Sequence, residues 1–255
     1  MSMITTSKDE GVCVVKINRP TKLNAMNIDV AREIISTFQQ LDKDDSVKVI
    51  VLTGEGDKAF SAGADIEYMS KISADESEVY AKLGQEVTAT VENVSKPTIA
   101  AVNGFALGGG CEISLACHIR LASDNAMFGQ PEVKLGLIPG WGGTQRLPRI
   151  IGKGLATELI ITGKIIDSNE AHRIGLVNRI LKKNNLIEES FEFAKLILKN
   201  GPKAISKSLS CINDSSNNSL NDGLENELET FSKLFGSKET NEGLKAFVEK
   251  RLPKF

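Results

Sequence analysis

The chain has 255 residues, 41% of them hydrophobic and 25% charged, which suits one large domain or a domain with a smaller appendage. Its 31 basic and 33 acidic residues leave a net charge of −2, so it carries no global basic footprint for nucleic acid. The four cysteines (Cys13, Cys111, Cys117, Cys211) form no CxxC pair, and only His118 and His172 accompany them, which excludes a zinc spacing.

Buried free thiols are expected, in a reducing compartment. MSMITTSKDEG lacks the apolar core of a signal peptide, and no apolar run reaches bilayer length. A soluble, cytoplasmic protein with no membrane partner is the expectation. In chain order, VCVVKIN (12–18) is β-branched and ends at Arg19-Pro20, which predicts a strand. Asn27 is a helix cap for a segment from 28 to about 41, whose Val30, Ile34, Ile35, Phe38 and Leu41 keep helical spacing. VKVIVLTG (47–54) and TIAAVNG (98–104) read as strands covered on both faces. Between them lie a Gly/Ala-rich loop (55–66) and a helix from about 73 to 94. The glycine triplet Gly108–Gly110 then opens an apolar helix. HIRLAS (118–123) is a short strand, 128–147 is loop-rich, and 153–163 is a helix stopped by Gly163. Ser168 is the expected cap of SNEAHRIG, and LVNRIL (176–181) is a further strand. Beyond about 186 only helices follow, so a β/α core gives way to a helical tail near 185–200.

Three glycines at the mouth of an apolar helix are a costly choice, since glycine is a poor helix former. Two readings are open. One is a tight strand-to-helix turn followed by a solvated Glu112. The other is a site where bare backbone and unpartnered N–H groups hold a developing negative charge, with Glu112 beside it. SAGAD (61–65) is a second glycine loop at a strand end; two such loops can each offer one N–H to an oxyanion, or Asp65 is merely a helix cap. Glu112 and Glu132 are each flanked by apolar or small residues, which raises a carboxyl pKa toward useful values. As a pair they suit acid–base work on one water; singly, each reads as an ordinary hydrogen-bond partner. No GK[ST] completes a P-loop, GFALGGG lacks the GxGxxG spacing, and no GxSxG elbow occurs. His118 and His172 read as structural. The basic end, VEKRLPKF (248–255), is a solvated helix end or a reach toward an anionic ligand.

Together, NRPTKLNAM (18–26), FSAGADI (60–66), KPTIAAVNGFALGGGCE (96–112), FGQPEVKLGLIPGWGGTQRL (128–147) and FVEKR (247–251) resemble the enoyl-CoA hydratase/isomerase family, the crotonases. The resemblance implies an α/β fold, a spiral of ββα units over 1–190, and a C-terminal helical region over 191–255 that makes homotrimers, two of which commonly stack into a hexamer. It implies that Ala64 and Gly109 supply the oxyanion N–H groups to an acyl-CoA thioester. Glu112 and Glu132 match the two glutamates that hold a water, which Glu112 activates for attack at Cβ while Glu132 supplies a proton to Cα. Gly140 matches a backbone position near that water, and Gln130 stands behind it. Ala62 and Ala64 match positions whose carbonyls read the adenine of CoA. Lys22, Leu23, Asp65 and Ile66 belong to the same side of the site, and Phe247 and Lys250 match tail residues that reach a neighbouring subunit's CoA. No metal or redox cofactor is implied; CoA is part of the substrate.

Two departures stand out. Some relatives carry a Lys after ADI that meets the CoA 3′-phosphate, whereas this chain has Glu67. Many hydratases have a small residue where this chain has Trp141, so an inward ring implies short acyl chains. PGWGGTQRL also looks like short-chain dehydratases of autotrophic archaea, which act on 3-hydroxypropionyl-CoA and 3-hydroxybutyryl-CoA. The expected activity is reversible hydration of a short 2-enoyl-CoA. The alternatives are an isomerase or another acyl-CoA reaction of the family, an RNA-binding role, which the net charge disfavours, and a silent scaffold, which needs neither glutamate.

Overall fold

The computed structural model describes residues 2–255. In chain order the strands are β1 (Ile4–Asp9), β2 (Val12–Ile17), β3 (Val49–Gly54), β4 (Ala59–Ser61), β5 (Thr98–Val102), β6 (Phe105–Leu107), β7 (Ile119–Ser123), β8 (Met127–Gly129), β9 (Ile165–Asp167) and β10 (Arg179–Leu181). The helices are α1 (Ile28–Lys43), α2 (Ile66–Met69), α3 (Ala74–Asn93), α4 (Gly109–Ala116), α5 (Gly143–Ile151), α6 (Lys153–Thr162), α7 (Ser168–Arg173), α8 (Leu186–Leu198), α9 (Pro202–Asp214), α10 (Leu220–Leu234) and α11 (Lys238–Val248).

The strands form two sheets. The larger has the order β1-β2-β3-β5-β7-β10 and is parallel apart from the β1–β2 hairpin. The smaller has the order β4-β6-β8-β9. The chain places one strand in the large sheet, the next in the small sheet, then a helix, three times over: β3-β4-α3, β5-β6-α4 and β7-β8-α5. This is the spiral of ββα units.

The all-apolar strands follow from burial on both faces. One face packs against α1 and α3 through Ile34, Phe38, Val87 and Val91; the other buries Val12, Val49, Val51 and Ile99 against Leu186 and Ala194 of α8. Residue 190 therefore lies inside a helix that packs on the sheet, and α9, α10 and α11 follow it. Asn27 caps α1 by accepting from Val30 N at 3.0 Å. Ser73 and Glu76 close a reciprocal capping box at the start of α3.

Some expectations need correcting. The cap of α7 is Asp167, whose carboxylate accepts from Glu170 N, and Ser168 is the first helical residue, its hydroxyl donating to Asp124 O. The loop expected at 55–66 contains β4, and the one expected at 128–147 begins inside β8 and ends inside α5. Cys13, Cys111 and Cys117 are buried free thiols, but Cys211 on α9 is only half-buried. Among the described residues no helix is long and apolar enough to cross a membrane.

Candidate active site

β4 and β6 pair in parallel, so the loops that follow them leave the small sheet side by side. The first loop is pinned from below. Ser61 Oγ donates to Asn24 O at 2.8 Å and accepts from Gly63 N at 3.1 Å, and Met26 N donates to Gly63 O at 2.8 Å. The second loop becomes the N-terminus of α4. A Cβ on Gly110 would fall 2.1 Å from Ser61 O, so only glycine lets α4 begin this close to β4. A Cβ on Gly63 would lie 3.2 Å from Gly109 N, which shows how nearly the two loops touch. Gly109 is the first residue of α4, where an N–H has no intrahelical partner. Among the described residues no acceptor is found for Ala64 N–H either. Two amides and the positive end of a helix thus share one spot, a place suited to an oxygen that gains negative charge.

Glu112 lies one turn into α4 and is 1% exposed. Its Oε1 accepts from Trp141 N at 2.8 Å and Gly143 N at 2.7 Å. Burial pushes its carboxyl up from the ordinary value, against the pull of those two N–H groups. Glu132 comes from a 3-10 turn, Pro131–Leu135, and its Oε1 lies 2.8 Å from where a Cβ on Gly108 would stand. Burial pushes Glu132 up to about 7, and the nearby charge of Glu112 adds to the rise. Gln130, fully buried, faces it. With its amide nitrogen turned toward Glu132 it donates to both carboxylate oxygens, at 3.0 and 3.3 Å. With the amide reversed, its oxygen can accept from the protonated acid, so this neighbour suits either state.

These groups open on a cleft of about 530 Å³. Ala62, Ala64, Ile66, Gly109, Gly140 and Trp141 line it together with both glutamates. Lys22, Leu23, Asp65, Phe247 and Lys250 do not. Leu23 lies just outside, its carbonyl accepting from Ala62 N. Lys22 pairs with Glu67 at 3.1 Å, and Lys71 pairs with the same Glu67 at 3.1 Å. The Asp65 carboxylate is taken by Arg19 and by the cap of α2. Phe247 is 85% exposed at the end of α11, and Lys250 is exposed beyond it.

Sequence reasoning missed Tyr80 and Gln85, which project into the cleft from α3, and the apolar rim of Leu137 and Ile138. It also missed Gly84, beside them on α3. Two cavities of about 660 and 710 Å³ lie against α8 and α9, without the paired amides. His118 sits in the first of these, its Nδ1 taken up by Thr98, and burial lowers it to about 4, so it is a neutral structural group. Among the described residues no group of three or more His, Cys, Asp or Glu is placed to hold a metal ion.

Fold and cleft define a class of protein: an enzyme whose ββα spiral sets one buried and one half-buried carboxyl group beside a backbone anion site. A family model described as enoyl-CoA hydratase/isomerase matches residues 7–255, and the chain belongs to that family. Among similar proteins, a crotonyl-CoA hydratase of Syntrophomonas wolfei is 43% identical over 252 residues, covering 99% of this chain and 97% of its own length. A short-chain-enoyl-CoA hydratase of Clostridium acetobutylicum is 43% identical over 251 residues, covering 98% and 96%. The crystal structure of an enoyl-CoA hydratase from Bacillus anthracis superposes with a TM-score of 0.97 at 36% identity, covering 100% of this chain and 99% of that one.

Proposed function

We propose that this protein is a short-chain enoyl-CoA hydratase that adds water reversibly to crotonyl-CoA and, by the same pocket argument, acryloyl-CoA, yielding 3-hydroxybutyryl-CoA and 3-hydroxypropionyl-CoA. One observation carries the reading: two carboxyl groups with raised pKa, the buried Glu112 and the half-buried Glu132, face the same cleft as the Ala64 and Gly109 amides. The thioester oxygen sits between those amides. Ionised Glu112, fixed by Trp141 N and Gly143 N, takes a proton from a water whose oxygen bonds to Cβ. The electron pair of the double bond moves toward the thioester, where the fixed donors meet the growing enolate charge. Protonated Glu132 then delivers its proton to Cα. Proton transfer from Glu112 to Glu132 restores the pair, and dehydration runs these steps backward. An isomerase needs one carboxyl shuttle; two favour hydration.

Other parts of the reading are proposals of the same kind. Carbonyls of Ala62 and Ala64 read the adenine, with Lys22, Leu23, Asp65 and Ile66 along that side. Lys22 and Lys71 together outweigh the charge of Glu67 near the phosphates. Phe247 and Lys250, exposed and not lining this chain's own cleft, serve a neighbouring copy in a homotrimer or a stacked hexamer. The reaction draws on no cofactor beyond the CoA of its substrate and takes place in the cytoplasm.

The test follows the ultraviolet absorbance of the conjugated thioester. The wild type should consume crotonyl-CoA. Glu112→Gln and Glu132→Gln should each lower kcat by a factor of about 10²–10⁴ while still binding CoA esters. A wild type silent on crotonyl-CoA, or a Gln variant of normal speed, overturns the reading.

A further inference from the structure

Helix α3 carries a lone glycine at its buried centre. In a helix interior glycine costs about 1 kcal/mol relative to alanine, and Gly84 sits among good helix formers rather than at a turn or cap. The reason lies across the cleft. A Cβ on Gly84 would fall 2.0 Å from Nε1 of Trp141, 2.1 Å from Cε2 and 2.2 Å from Cδ1. The pyrrole edge of the indole therefore rests directly on the α3 backbone. The opposite, benzo edge lies 3.2 Å from where a Cβ on Gly109 would stand. Trp141 is 4% exposed, and Tyr80 meets it edge-on at 5.5 Å between ring centroids. The ring is thus wedged between α3 and the first residue of α4, beside the amide that points at the proposed thioester.

The same face of α3 also holds the backbone of the loop. Thr88 Oγ1 donates to Trp141 O at 2.8 Å, and Gln85 Nε2 donates to Gly140 O at 3.2 Å. With the backbone of residue 141 tethered at its carbonyl and its N–H given to Glu112, the indole has little room to leave by moving the loop. Its freedom is set by the wall behind it, and that wall is Gly84.

Resting on the proposed function, we infer that Gly84 is a specificity-determining residue: its bare backbone is the seat that draws the Trp141 ring back from Gly109, and the depth of this seat sets how much acyl chain fits. A side chain at 84 pushes the ring toward the thioester and excludes even a four-carbon chain. Removing the ring leaves the seat empty, a slot along α3 into which a longer chain can run. The two residues act as one unit, so their substitutions are non-additive.

The experiment is a cycle of Gly84→Ala, Trp141→Ala and the double variant. Two chain lengths are compared by binding of butyryl-CoA and octanoyl-CoA and by kcat/KM on the matching 2-enoyl-CoA esters. Trp141→Ala should raise the eight-carbon to four-carbon ratio about tenfold, the scale at which hydrophobic pockets discriminate chain length. Gly84→Ala should weaken the four-carbon ester about tenfold with Trp141 present and leave it nearly unchanged with Trp141→Ala. Trp141 is the single tryptophan of the chain, so its emission reports the seat directly. In Gly84→Ala it should shift to longer wavelength. If Gly84→Ala alone does not fold but the double variant does, the clash with the ring is shown by that difference.

An unshifted emission, an unchanged chain-length ratio in Trp141→Ala, or equal effects of Gly84→Ala with and without the ring overturns the inference. A wild type that fails to hydrate crotonyl-CoA while the binding ratios and emission behave as stated removes the proposed reaction and leaves the seat standing.

Discussion

Glu132 gives the cleft its pH signature. Its carboxyl is raised from an ordinary value of 4.5 to about 7, first by burial and then by the charge of Glu112. In the proposed hydration its proton goes to Cα, so turnover of crotonyl-CoA should fall as pH rises through about 7. Stability moves in the same direction. The folded state holds this proton more tightly than the unfolded one, so the favourable contribution is complete below about 4.5 and is lost as pH rises through about 7. Thermal melts of the wild type and Glu132→Gln across that window test this. The wild type should lose Tm relative to the variant as pH increases; a constant difference would show that burial does not govern this carboxyl. Both glutamates were legible as motif residues, because each sits in a short run with a characteristic flank. Gly84 and Tyr80 were not, since they reach the cleft from a helix distant in sequence. Gly84 did leave a trace: an isolated glycine in a helical pattern calls for a packing reason.

Helix α4 joins the two ends of one electrostatic argument. Its N-terminus faces the proposed thioester, and its C-terminal carbonyls are gathered by a buried arginine. Arg120 Nη1 donates to Cys117 O at 2.6 Å, Ser114 O at 3.2 Å and Leu115 O at 3.4 Å, and its Nε donates to Leu176 O at 2.8 Å. A cation at the negative end of the helix is favourable, and these bonds satisfy carbonyls that the helix leaves open. Arg120→Met should lower unfolding stability by about 3 kcal/mol, because several buried acceptors lose a charged donor together. Urea denaturation measures it, and a loss within experimental scatter would mean that water replaces the guanidinium. At this scale the sequence showed β2, β3, β5 and β7 and the longer helices, whose periodicity is local, but not β1, whose ITTSKD is exposed after its first residue and carries no apolar run. β4, β6 and β8 escaped it. Each is three residues long, too short for an alternation to register, and each exists only because it pairs with another across the small sheet.

The molecule as a whole leaves its helical end unfinished. Leu220, Leu224, Leu228, Phe231 and Phe235 recur at intervals of three or four residues along α10 and just past its end, all exposed, and Phe231 stacks edge-on against Phe235. Phe247, Val248 and Leu252 add a second exposed apolar group after α11 begins to end. A contiguous apolar surface of this kind marks an interaction site. On the proposed assembly the occupants are further copies of this chain, and the cleft supplies a consequence. If Phe247 and Lys250 complete a neighbour's CoA site, assembly and substrate affinity must fail together. Light scattering should give a mass three or six times the 27.6 kDa of one chain. Leu228→Glu combined with Phe231→Glu should lower that mass and raise the KM for crotonyl-CoA, although neither residue borders the cleft. A dissociated variant with unchanged KM would confine the whole CoA site to a single chain.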